Sequence, residues 1–124
     1  MLKTGLLLGS FFSLLTIVLG AFGAHALKDQ LNEYGKSIYE KAVLYQMFHS
    51  LGILLVAMLN QFIDGVDLTL SIWFFTIGIL LFSGSLYILA VSQVKWFGAI
   101  TPIGGVLFIA GWAYLFYKTL TTNF

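Results

Sequence analysis

Polar and apolar positions along the chain separate into four long apolar runs divided by short charged segments. No charge occurs at residues 4–27, between Lys3 and Lys28, or at 42–63, between Lys41 and Asp64. The same holds for residues 68–94, between Asp67 and Lys95, and for 96–117, between Lys95 and Lys118. Each run exceeds the ~20 residues that cross a hydrocarbon core of about 30 Å. Irregular backbone facing lipid would leave N–H and C=O groups unpaired, so each run is expected to be a helix. The pattern predicts an all-α integral membrane four-helix bundle, with spans at 4–26, 42–63, 68–94 and 100–118 of a single membrane domain, 1–124.

Small residues recur within the runs at helical spacing. In the first, Gly5, Gly9, Ser13, Thr16, Gly20 and Gly23 fall within roughly 80° of one another on a straight helix. Such a stripe lets backbones approach closely, which drives helix association where no hydrophobic effect operates between helices. In the second run Ala42, Tyr45, His49, Gly52, Val56 and Asn60 form a stripe. Leu44, Phe48, Leu51, Leu55, Met58 and Phe62 lie opposite and read as lipid-facing. The third run has two seven-residue seams: Ser71, Gly78, Ser85 and Ser92, and Thr69, Thr76 and Ser83, with Tyr87 and Ala90 beside the second. Seams on roughly opposite sides predict that this helix touches protein on both. Gly104 and Gly111 give the fourth helix its close-packing face.

The connections carry most of the charge. Residues 27–41, "LKDQLNEYGKSIYEK", place Leu27, Leu31, Tyr34 and Ile38 on one helical face and Asp29, Glu33, Lys36 and Glu40 on the other. This suits a short amphipathic segment at the interface, interrupted at Gly35. Asp64-Gly65 signals a tight turn. At Thr101-Pro102 one reading has Pro102 kinking a continuous helix by freeing the Gly98 carbonyl. The favoured reading makes Thr101 the N-cap and Pro102 the first helical residue. Trp73, Trp96, Tyr114 and Tyr117 sit near run ends, as interfacial aromatics do. Four lysines (Lys28, Lys36, Lys41, Lys95) fall on the side of the first and third connections, against Lys3 and Lys118 on the other. This bias orients those connections toward the cytoplasm.

Composition agrees: 60% of residues are hydrophobic and 9% charged, where a soluble domain has roughly 25% charged. A net charge of +1, with six lysines and no arginine, lacks the clustered basic surface that nucleic acid requires. The absence of cysteine excludes disulfides, thiolate zinc sites, a cysteine nucleophile and Cys-x-x-Cys-His haem attachment. Lys3 and Ala24-His25-Ala26 mimic a secretory signal, yet the first run has 24 residues, against about 7–15 for a signal core, so it is expected to be retained as a span.

The stretches "GAFGAHALK" at 20–28, "YQMFHSLGILL" at 45–55, "FSGSLYILA" at 82–90 and "GAITPIGGVLFIAGW" at 98–112 together carry a resemblance. In that order, the chain resembles the domain-of-unknown-function family 423, small membrane proteins that include transmembrane protein 256. The resemblance implies a small helical membrane protein without an assigned reaction, and it includes His25 and His49.

Polar residues inside spans are functional candidates by default. His25, Tyr45, Gln46, His49, Tyr87 and Thr101 belong to the half of the membrane nearest Lys28, Lys41 and Lys95, and form the candidate polar site. His49 is expected to point into the bundle, near Tyr87 or Thr101, and His25 to anchor the end of the first helix. The pair could ligate haem or a metal, although no carboxylate lies within a span to complete a site. Tyr45, Gln46 and His49 could instead line a transport path. The favoured expectation is a structural, partner-binding or lipid-interacting subunit in the plasma membrane, with the polar groups as interhelical hydrogen bonds. On that reading it is not an enzyme, needs no cofactor or metal, and has as partners the lipid bilayer and a second copy or another membrane protein.

Overall fold

A computed structural model describes residues 1–123. It contains α1 (Leu2–His25), α2 (Glu33–Phe62), α3 (Thr69–Ser92), a 3₁₀ helix (Lys95–Ala99) and α4 (Thr101–Thr121). All four α-helices are long and apolar enough to span a bilayer. The fold is an all-helical membrane bundle. Its extensive interfaces run in series, α1 on α2, α2 on α3 and α3 on α4, so α2 and α3 form the centre. The flanking helices present Leu7, Leu14 and Ile17 of α1, and Val106, Ile109 and Phe116 of α4, to the surroundings. In a bilayer these faces meet lipid at no cost.

Glycines set how closely the helices approach. A Cβ on Gly5 would lie 2.5 Å from the Ala57 Cβ, and one on Gly9 would lie 2.6 Å from the Leu54 side chain. A Cβ on Gly20 would lie 3.5 Å from Val43, and Gly23 lies against the Tyr39 ring. The α1 stripe thus lies along α2. On α3 the Ser71, Gly78 and Ser85 seam faces α4: Ser71 Oγ donates to the Gly111 carbonyl at 2.7 Å, and Gly78 meets Phe108. Gly104 of α4 sits on the backbone of Phe82, and Gly111 lies against Phe75. The second seam faces α2, where Ser83 Oγ donates to the Ala42 carbonyl at 2.7 Å.

The amphipathic segment divides in two. Residues 26–32 form turns, and the rest is the start of α2, capped by Asn32 Oδ1, which accepts from Gly35 N at 2.7 Å. The helix continues through Gly35 instead of breaking there. A Cβ at that position would lie 3.1 Å from Asn32 Oδ1 and 3.2 Å from the Ala90 carbonyl, so this glycine serves close approach to α3. Thr101 is likewise not an N-cap. Ile100 holds that place without a side-chain bond, and Pro102 lies within the first turn. The Thr101 hydroxyl is engaged elsewhere, 2.6 Å from Ser85 Oγ on α3.

α3 ends at Gln93, whose left-handed backbone (φ 60°) occupies a position usually given to glycine. Its side chain stabilises the turn by donating to the Ala90 carbonyl at 2.9 Å. Asn32 Nδ2 donates to Gln93 Oε1 at 3.4 Å, which places the first and third connections on one side. On the other side the Tyr114 hydroxyl donates to the Asp67 carbonyl at 3.3 Å.

Candidate functional site

Two apolar cores stack along the bundle. One gathers Ile53, Val56, Ile72, Phe75 and Phe108, and the other Leu27, Ile38, Ala42, Leu86 and Leu89. Between them runs a polar layer made mostly by one stretch of α2, residues 46–50. Gln46 and His49, three apart, lie about 60° from one another around the helix, yet their side chains reach different neighbours.

Gln46 is buried and bridges two helices. Its Nε2 donates to the Phe12 carbonyl of α1 at 3.0 Å, and its Oε1 accepts from the Tyr87 hydroxyl of α3 at 2.6 Å. The Phe12 carbonyl also accepts from Thr16 Oγ1 at 2.7 Å. Tyr87 packs edge-on against Tyr39, with ring centroids 5.0 Å apart, and the Tyr39 hydroxyl donates to the Leu19 carbonyl. Ser50 donates to the Gln46 carbonyl within α2. Three helices are therefore tied at one level.

His49, 3% exposed, faces α3 and α4. Its partner is neither Tyr87 nor Thr101, which are held by Gln46 and Ser85. Trp112 of α4 donates its indole N–H to His49 Nε2 at 3.0 Å. An indole can only donate, so Nε2 is the acceptor and the proton of the neutral ring resides on Nδ1. That N–H donates to the Tyr45 carbonyl at 2.8 Å. The ring stacks on Phe108 at 3.5 Å and 7°, with Phe75 edge-on at 5.2 Å. Both ring nitrogens are thus engaged inside an aromatic cage.

The remaining candidates lie apart. Tyr45, 41% exposed, packs its ring on Phe82 at 4.6 Å and lines a groove of about 1020 Å³ between α2 and α4. Leu44, Phe48, Val106 and Ile109 also line this groove, making it overwhelmingly apolar. His25 is exposed at the C-terminus of α1. The preceding Gly23 packs on Tyr39, ten residues and about 15 Å along α2 from His49, whose ring faces away from α1. The two histidines do not form a common site. Among the described residues no three His, Cys, Asp or Glu side chains cluster to hold a metal ion.

Sequence reasoning missed Trp112 and Ser83. The signal for Trp112 was available. An indole well inside an apolar run has an N–H that needs a buried acceptor, and His49 was the evident one. Ser83 stood in a seam, but its acceptor is a backbone carbonyl, which sequence does not single out.

Comparison with known proteins places these features in context. A family described as "Protein of unknown function (DUF423)" matches residues 19–105. A UPF0382 membrane protein of Staphylococcus epidermidis is 45% identical over 96% of this chain and 97% of its own length. The UPF0382 membrane protein YwdK of Bacillus subtilis is 44% identical over 90% of this chain and 91% of its own. One from Staphylococcus haemolyticus is 42% identical over 95% and 96%. No solved structure matches the chain at a significant level.

Proposed function

This chain belongs to the DUF423 family of small membrane proteins, and from that premise we propose that it is a non-catalytic subunit acting through its outer contacts, with the plasma membrane as its location. The observation that carries this reading is the engagement of the buried polar groups. Among the described residues, Ser13 Oγ is the one buried side-chain nitrogen or oxygen without a hydrogen-bond partner. Gln46, His49, Ser71, Ser83 and Tyr87 each close onto another helix. An ion path or an acid–base centre would instead leave polar atoms free to meet a substrate. The wide groove beside His49 offers apolar wall, which suits lipid or a partner helix better than an ion.

The test is reconstitution of the purified protein into liposomes carrying an entrapped pH or potassium dye. Flux is expected to equal that of protein-free vesicles. Flux that rises with protein content and falls in Gln46→Leu or Trp112→Phe would replace this reading with transport. Native mass spectrometry of the same sample, from mild detergent, is expected to show bound lipid or additional subunits. A bare monomer would count against a subunit that works through contacts.

A further inference from the structure

A crevice of about 460 Å³ lies between the C-terminal part of α1 and the N-terminal part of α2. Gly20, Gly23, Val43 and Met47 line its apolar depth, and Lys28, Lys36 and Glu40 line its polar end. Gly20 is eight residues from Lys28 and Met47 is six from Lys41, so the apolar part reaches about 9–12 Å into the span. Over that depth the volume corresponds to a cross-section of roughly 40–50 Å². A helix at least 10 Å across needs roughly 80 Å². A partner helix does not fit; hydrocarbon chains do. Left empty, the walls would forfeit their dispersion contacts.

The charges say what should head such a chain. Among the described residues the one ion pair is Lys36 with Glu33 at 3.5 Å, so Lys28 and Glu40 have no charged partner within 4 Å. Two ammonium groups suit a phosphate diester, and a carboxylate beside them suits a donor further along the same headgroup. We propose that this crevice binds a glycerophospholipid. Its phosphate lies at Lys28 and Lys36, a headgroup ammonium or hydroxyl lies at Glu40, and an acyl chain runs past Gly20 toward Met47. This deepens the contact-making reading above by naming a lipid class and its place.

The test is native mass spectrometry of the full chain, reconstituted with equimolar phosphatidylethanolamine, phosphatidylglycerol and diacylglycerol. One phospholipid is expected to remain bound per chain, with diacylglycerol retained at least tenfold less. Replacing both Lys28 and Lys36 by glutamine should lower phospholipid retention roughly thirtyfold, since it removes both cations that face the phosphate. Gly20→Leu should lower it similarly. A Cβ there meets only Val43, at 3.5 Å, so the first carbon fits while the rest of the side chain obstructs the crevice. Lys3→Gln with Lys118→Gln, at the opposite end, should change nothing. Melting temperatures measured alongside separate lost lipid from lost fold. Equal retention of diacylglycerol, or unchanged retention in the lysine pair, overturns the site while leaving the liposome result to judge the broader reading.

Discussion

Trp112 of α4 donates its indole N–H to Nε2 of His49 on α2 across 3.0 Å, joining two helices whose main packing partner is α3. The bond fixes the histidine tautomer and closes the cage around the ring. In Trp112→Phe, Nε2 keeps its lone pair in an apolar pocket without a donor. The expected loss is about 1 kcal/mol, within the range of interhelical hydrogen bonds in membranes, read as a lower melting temperature in mild detergent. His49→Leu in the same background should cost less than in the wild-type chain, because the unpaired acceptor goes with it. Additive losses would mean that the bond contributes nothing.

Gln46 supports two interfaces, so its replacement should reach further. Gln46→Leu removes the donor to the Phe12 carbonyl and the acceptor for Tyr87 together. A destabilisation of roughly 1–3 kcal/mol is expected, with Tyr87→Phe showing a smaller part of it. Urea or thermal unfolding monitored by circular dichroism in detergent would check this. Equal stability of Gln46→Leu and wild type would remove the tie between α1, α2 and α3.

Adjacent glycines on α4 should respond oppositely. A Cβ on Gly104 would collide with the Phe82 backbone, which cannot rotate away, whereas one on Gly105 meets only the Phe82 ring at 3.8 Å. Gly104→Ala must therefore push α4 off α3, at roughly 1–3 kcal/mol. Gly105→Ala should be neutral or stabilising by up to about 1 kcal/mol through helix propensity. The pair can be ranked by melting temperature, and the reverse order would contradict the packing described.

Asp67, in the connection between α2 and α3, lies outside the spans. Hydrogen bonds from Thr69, from its hydroxyl and then its backbone N–H, hold the carboxyl below its ordinary pKa. The folded state favours the ionised form, so this contribution is present above the unfolded value and fades as pH falls through about 4 and below. The stability gap between wild type and Asp67→Asn should be constant from neutral pH down to about 5 and shrink on further acidification. A gap that grows in acid would invert the assignment.

The tie between Asn32 and Gln93 puts the first and third connections on one face, so reporters fused at residue 36 and after residue 118 should give opposite sides. From the lysine bias, residue 36 is expected to report the cytoplasmic side. Matching reports from the two fusions would mean that one of the four helices does not span.

Much of this architecture follows from the sequence alone. Charges are so few that four apolar runs must be helices, because lipid offers backbone groups no partner, and small residues at helical spacing mark where backbones can meet. The seams of α3 were legible for this reason: serines and glycines seven apart define a face, though not the helix it meets. Which polar group finds which partner is set instead by the packing of the helices. Gln46 and His49 are three residues apart and look alike as candidates, yet one turns to α1 and Tyr87 and the other to Trp112. Thr101 looked like a cap and bonds Ser85 instead, and Gly35 looked like a break and admits the end of α3. Each outcome depends on the rotation and depth of a neighbouring helix, set by the sum of close contacts along its length. No single run of residues contains that information.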